Sequence, residues 1–288
     1  MVFLNGKFLP IEQATVPVLD RGFIFGDGVY ELVPVYARVP FRIEEHLRRL
    51  ERSLSEVRIR NPYSAAQWKE IIARLISEQP FEDQGIYFQV TRGVAKRDHA
   101  FPQDVAPTVF IMSNPLVNPP RELVERGAAA LSAVDNRWLR CDIKSISLIG
   151  NCLLRQISAD AGAAETIMFR DGKLTEASAS NVFIVKAGVI RSPAKSNLIL
   201  PGITYDVIVE LAQSAGIPVR FDEITEAEVR AADELWVTSS SKEVLAIVQL
   251  DGKPIGEGKP GPVFRHMYEL YQEFKQRVMR AGKQAVAA

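Results

Sequence analysis

Four tight turns limit how this chain can fold. Asn5-Gly6, Asp171-Gly172, Ala187-Gly188 and Asp251-Gly252 each separate short apolar runs, and dipeptides of this kind join antiparallel strands. They predict hairpins at residues 2–9, about 171, about 187 and over 243–254. Other stretches carry a helical period. Leu47, Leu50, Leu54 and Val57 form one stripe within residues 44–57. Ser64 with Gln67 is a capping box for a helix running to about Glu78, and Thr225 with Glu228 begins a shorter one. Helices are also expected over 150–161, from Gly202 and from Pro262. Strands are expected over 30–36, with Pro34 near a sheet edge, and over 86–91, 108–112, 128–134 and 235–238. Hairpins and helices do not alternate strictly, which argues for an α+β architecture over a doubly wound sheet.

The run Asn114-Pro115-Leu116-Val117-Asn118-Pro119-Pro120 reads as a linker. It divides the chain into a smaller N-terminal domain, 1–118, and a larger C-terminal domain, 119–288. The last residues are expected to fray. Lys+Arg and Asp+Glu are both 35, so the formal net charge is zero, and neither nucleic acid nor a membrane surface is an expected partner. No apolar run reaches the roughly 18 residues needed to span a bilayer. The start, Met1-Val2-Phe3-Leu4, does not read as a signal peptide, and the cytoplasm is the expected compartment. Cys141 and Cys152 are too few for a disulfide framework and lack metal-ligand spacing, so no metal is expected.

Within this frame the polar run Arg137-Trp138-Leu139-Arg140-Cys141-Asp142-Ile143-Lys144-Ser145 is the most informative stretch. Apolar surroundings weaken a lysine's preference for the charged form, and a neutral amine condenses with an aldehyde. A strand-edge lysine reaching for water is the plainer reading of Lys144. Glu176 follows in Thr175-Glu176-Ala177-Ser178-Ala179-Ser180-Asn181. An amine and a fixed carboxylate are the two groups that pyridoxal 5'-phosphate requires of a protein.

A phosphate could sit at Gly202-Ile203-Thr204, where a helix starts, or at Thr238-Ser239-Ser240-Ser241 after a buried strand. Each also reads as a cap or a loop. Of Arg48, Arg49 and Arg52, two belong to a solvated helix face. The glycines and aromatics of Asp20-Arg21-Gly22-Phe23-Ile24-Phe25-Gly26-Asp27-Gly28 suggest backbone packed closely against another chain or a cofactor's surroundings. Arg97 and His99, two apart in a basic loop, can point the same way and clamp a carboxylate. His46 is expected to make structural hydrogen bonds and His266 to be exposed.

In this order the segments resemble the class IV (fold-type IV) pyridoxal-phosphate-dependent aminotransferases, over nearly the whole chain. The resemblance implies two domains, the larger with a β-barrel-like core, and a cofactor at the domain interface. It implies Lys144 as the Schiff-base lysine and Glu176 as the partner of the pyridine nitrogen. Arg49, Ile203, Thr204 and Ser240 would hold the phosphate, Arg137 would lie near the ring hydroxyl, and Leu200 would pack on the ring. Tyr30, Arg97 and His99 resemble the carboxylate trap of the D-amino acid branch, in which the last two residues come from the other subunit of a homodimer. D-amino acid transamination, with D-alanine and 2-oxoglutarate as substrates, is therefore the implied activity. Branched-chain L-aminotransferases and aminodeoxychorismate-type lyases share the lysine and glutamate. Ala177 and Ala179 depart from the D-branch pattern, which often has a glycine and a serine there.

Overall fold

At Asn5-Gly6 the backbone turns with both residues at positive φ (48° and 87°), joining β1 (Val2–Leu4) to β2 (Lys7–Leu9). Both residues of each of the other three turn dipeptides also have positive φ, the signature of the two-residue turn that matches strand twist. The structure is a computed structural model describing residues 1–281; the terminal residues expected to fray lie outside that range. It divides into two units. Of the described residues, the first comprises Met1–Leu116, Ile143–Leu148 and 279–281; the second comprises Val117–Asp142 and Ile149–Val278. The break thus falls two residues before the sequence boundary, and Lys144, placed by that boundary in the second domain, clusters with the first.

In the first unit α1 (Arg21–Phe25), capped by the Asp20 carboxylate, precedes β3 (Gly28–Tyr36) and the short β4 (Val39–Pro40). Two helices, α2 (Ile43–Glu56) and α3 (Ala65–Ser77), lead to β5 (Gln84–Thr91) and β6 (Thr108–Pro115). The capping box at Ser64 and Gln67 is formed. The six strands make one sheet in the order β2-β1-β6-β5-β3-β4. Leu47, Leu50 and Leu54 of α2 and Trp68, Ile72 and Leu75 of α3 share one core with Val29, Val33, Ile86 and Phe88 of the sheet. The strand period of two puts Glu31 in phase with Val29 and Val33, so its carboxylate enters this core with no exposed surface.

Ile143–Leu148 lines the free side of β3. Lys144 C=O accepts from Tyr30 N–H (2.9 Å), Ile146 N–H donates to Gly28 C=O (3.1 Å), and Lys144 N–H donates to Ser53 Oγ of α2 (3.3 Å). Pro34 falls between this pairing and the one with β4 at Val35 and Tyr36, where its missing N–H leaves no ladder bond unmade. The glycines of residues 20–28 make room for the lysine-bearing segment. A Cβ at Gly28 would lie 2.6 Å from Val90 C=O and 3.0 Å from Ile146, and one at Gly26 would lie 2.7 Å from Ser147 Oγ. The close packing expected of that motif is therefore against the chain itself: the lysine-bearing segment at Gly26, and β5 together with that segment at Gly28.

The second unit runs through α4 (Arg121–Arg126), β7 (Ala128–Val134), α5 (Ile149–Asp160), β8 (Glu165–Arg170), β9 (Lys173–Ala177) and β10 (Asn181–Lys186). It continues with β11 (Val189–Ser192), α6 (Ile203–Ser214), β12 (Val219–Phe221), α7 (Glu226–Arg230), β13 (Glu234–Ser239), β14 (Glu243–Leu250), β15 (Lys253–Pro254) and α8 (Pro262–Phe274). Its sheet has the order β12-β11-β10-β13-β14-β7-β8-β9, with β15 beside β14. Five steps separate β10 from β9 along that path, roughly 24 Å if the sheet were flat. Yet only Ser178, Ala179 and Ser180 connect them, a reach of about 15 Å at most. The sheet must curl, as the β-barrel-like core expected of the larger domain requires. The fold is α+β, as the mixture of hairpins and helices implied.

Candidate active site

In the first unit the site is built around β3 and α2. Tyr30, on the strand face opposite Glu31, lies under Lys144, whose Nζ is 4.2 Å from the ring centroid. Lys144 is half-buried. Behind it, Glu31 accepts from Arg49 through Nε (2.7 Å) and Nη2 (2.8 Å) and pairs with His46 Nδ1 at 2.8 Å. Of the three arginines on α2, Arg49 turns inward while Arg48 is 71% exposed and Arg52 is exposed. Burial alone would raise the Glu31 carboxyl pKa, but the Arg49 guanidinium overrides it and holds the group well below the usual range. Burial lowers the pKa of His46, and the Arg49 and Lys144 charges act in the same direction. A neutral His46 whose Nδ1–H donates a hydrogen bond to Glu31 presents Nε2 as an acceptor. That atom is buried without a hydrogen-bond partner among the described residues.

Arg97 and His99 make their aromatic contacts with Phe25. The Arg97 guanidinium is 5.3 Å from the ring centroid and the His99 ring 5.5 Å away. Both are exposed in this single chain, and neither shares a contact with Tyr30 or Lys144 among those the described residues form.

In the second unit Glu176 is the last residue but one of β9, almost fully buried. Its Oε1 accepts from Arg137 Nη1 (2.7 Å) and its Oε2 from Leu200 N–H (3.0 Å), with Asn181 Nδ2 at 3.4 Å. Asn181 also donates to Leu200 C=O (2.9 Å), which fixes the backbone on both sides of Leu200. Burial pushes the Glu176 carboxyl pKa up, against the pull of Arg137. Asp135, which gives little signal of its own in the sequence, holds Arg137 from the other side through Nε (2.9 Å) and Nη2 (3.0 Å) and also accepts from Thr175 Oγ1 (2.8 Å). Burial would raise Asp135, but hydrogen bonds from Arg137 bring it down to about 2.

Gly202 caps α6 with no side-chain hydrogen bond, so the first-turn N–H groups of Ile203 and Thr204 lack a side-chain acceptor there. A Cβ at Gly202 would lie 2.0 Å from Asn181 Oδ1, so glycine is what lets Asn181 approach the helix start. Ser240 is half-buried just beyond β13, and the neighbouring Thr238 Oγ1 is buried without a partner among the described residues. Ser178 and Ser180 both donate to the buried Glu165, which also pairs with Lys242 Nζ (2.8 Å). Ala179 between them is exposed.

These residues fit pyridoxal phosphate within each unit. The first offers an amine over an aromatic ring and a buried arginine. The second offers a buried carboxylate, an uncapped helix start and orphaned hydroxyl capacity. Among the described residues no helix is long and apolar enough to cross a membrane.

The sequence pattern of the amino-transferase class IV family matches residues 28–250, and the chain belongs to that family: it is an aminotransferase with pyridoxal phosphate as its cofactor. It is 38% identical over 273 residues to the D-alanine aminotransferase of Staphylococcus aureus (strain MW2), covering 95% of this chain and 97% of that one. The D-alanine aminotransferase of Bacillus licheniformis is 37% identical over 271 residues, covering 94% and 95%. Among solved structures, the T.th. branched-chain amino acid aminotransferase with pyridoxamine 5'-phosphate superposes with a TM-score of 0.91 at 25% identity, covering 99% of this chain and 95% of that one.

Proposed function

We propose that this aminotransferase acts on D-amino acids, converting D-alanine and 2-oxoglutarate to pyruvate and D-glutamate in two half-reactions. The observation that carries this reading is the pairing of Arg97 and His99 on one ring, Phe25, in a chain whose relatives at 37–38% identity are named D-alanine aminotransferases. The likeness to branched-chain enzymes is strong in fold and weaker in sequence.

Bound pyridoxal phosphate supplies the electron sink that makes the substrate Cα–H acidic. Lys144 Nζ, standing on Tyr30, would hold the cofactor and move the proton at the substrate Cα. Glu176 keeps a proton on the ring nitrogen. Its burial favours proton sharing, and Arg137 and the Leu200 N–H keep the carboxylate aimed. Leu200 would pack on the ring, and Arg137 would lie near the ring hydroxyl. Arg49, the Ile203 and Thr204 N–H groups with the Thr204 hydroxyl, and Ser240 take the phosphate. Glu31 and His46 hold Arg49 in place from behind.

Tyr30, Arg97 and His99 take the substrate α-carboxylate, the last two from a second copy of the chain. The exposed apolar side chains near that loop, Val18, Leu19, Phe23, Val94 and Phe101, support a homodimer with a shared site, and the cytoplasm is the proposed compartment. Initial rates with paired D- and L-amino acids test the reading. D-alanine turnover should exceed that of L-leucine, and Arg97→Ala should raise the KM for every α-carboxylate substrate by about 10- to 100-fold, the worth of a charge-assisted pair. L-leucine as the better substrate would make this a branched-chain enzyme. Pyruvate released without an amino acceptor would make it a lyase.

A further inference from the structure

The glycine-rich segment at residues 20–28 does more than receive the lysine strand. Arg21 is 3% exposed. Its Nη1 donates to the carbonyls of Asp98 (2.5 Å) and Ala100 (3.4 Å), the two peptides that straddle His99. Its Nε donates to Asp27 (2.7 Å). Asp27 also receives Arg92 through Nε (2.7 Å) and Nη2 (3.0 Å). Arg92 in turn donates to the carbonyls of Val57 and Arg58 and stacks 3.6 Å over Phe101 at the loop's far end. The backbone adds Arg21 N–H to Gly93 C=O at 2.9 Å and Arg92 N–H to Asp27 C=O at 3.0 Å. The base of the loop is thus held by buried charges in register with α1.

Phe25 does the rest. Its ring meets three basic side chains: Arg21 at 4.7 Å, Arg97 at 5.3 Å and His99 at 5.5 Å. Arg97 and His99 are both exposed side chains of one loop, and open loop backbone alone would leave their spacing unset. The negative face of the Phe25 ring draws the Arg97 guanidinium to it and the same ring packs against the His99 ring, so one aromatic side chain sets the spacing and direction of both. Resting on the carboxylate-trap reading above, we propose that Phe25 and Arg21 are positioning residues for the substrate α-carboxylate. They hold Arg97 and His99 as a preformed clamp, so substrate binding does not have to order the loop.

Phe25→Leu keeps the apolar volume and removes the ring. Kinetics of the dimeric, cofactor-loaded enzyme should show KM raised about tenfold for D-alanine, D-glutamate and 2-oxoglutarate alike, the worth of about 1.4 kcal/mol of cation–ring and ordering free energy. kcat should stay within about twofold, and Phe25→Tyr should restore KM. The rate on a primary amine without a carboxylate should not change. Arg21→Lys, which keeps the charge beside Asp27 but loses the forked donation to two carbonyls, should give the same pattern if Phe25→Leu fails to fold. Unchanged KM in Phe25→Leu, or equal losses on the amine and the amino acids, would overturn the positioning role. If Arg97→Ala also leaves KM unmoved, the trap itself is refuted; if Arg97→Ala raises KM while Phe25→Leu does not, only the present inference fails.

Discussion

Glu31→Gln is the substitution whose outcome the structure constrains most. Glu31 lies on the core face of β3 with no exposed surface and accepts two hydrogen bonds from Arg49 and one contact from His46. The amide keeps the shape but takes the Glu31 charge away from Arg49, whose side chain is 9% exposed. Breaking one side of a buried pair costs about 3–5 kcal/mol. A retained amide oxygen puts this case at the low end, about 3 kcal/mol, or roughly 6–12 °C in Tm at 2–4 °C per kcal/mol. If Arg49 faces the phosphate, the dianion restores a partner. Thermal and urea unfolding of the apo and cofactor-loaded forms should then show the full loss only in the apo form. Equal losses in both forms would refute the phosphate role of Arg49. No loss in either would refute the view that Glu31 is needed to keep Arg49 buried.

Three further outcomes follow from the same geometry. Lys144→Ala should abolish transamination while leaving the fold intact by far-ultraviolet circular dichroism; retained turnover would exclude Lys144 as the catalytic amine. Glu176→Gln should lower kcat by about 10- to 100-fold, the worth of a hydrogen bond to a charged group, and change the bound cofactor's absorbance; unaltered kcat would remove Glu176 from the ring nitrogen. Glu31 and Asp135 both have folded-state pKa values below their ordinary ones, so each stabilises the fold above about pH 4 and that contribution is lost as pH falls toward 2. Glu176 is raised and has the opposite sign, its contribution being lost as pH rises. Urea midpoints between pH 5 and 2.5 should fall steeply, and less so in Asp135→Asn; parallel profiles would show that Asp135 is not the linked group.

Much of the fold is legible in the sequence because its signals are local. The turn at Asp251-Gly252 and the capping boxes at Ser64 and Thr225 each depend on residues a few positions apart, and each forms where expected. Glu31 carries a subtler signal: a charge in phase with the inward valines of β3 must find a buried partner, and Arg49 and His46 lie at i, i+3 spacing on the helix that follows. Asp135 carries little: Arg137 is only two residues away, but its tie to Thr175 joins residues 40 apart, on a strand that β8 separates from β7. The proline-rich linker marks one crossing of the chain but not the return of residues 143–148 to β3, since that pairing joins residues more than a hundred positions apart. Arg21 and Phe25 look like packing residues in the sequence; their role depends on the loop at 97–101 that rests on them.

The most direct test of D-amino acid transamination is the absorbance spectrum of the purified, cofactor-loaded protein before and after D-alanine alone, with L-leucine in a parallel cuvette. Loss of the visible cofactor band with D-alanine only, restored by 2-oxoglutarate, is the expected result. Loss with L-leucine only would keep Lys144 and the fold but contradict the D-specific reading and the carboxylate role of Arg97 and His99.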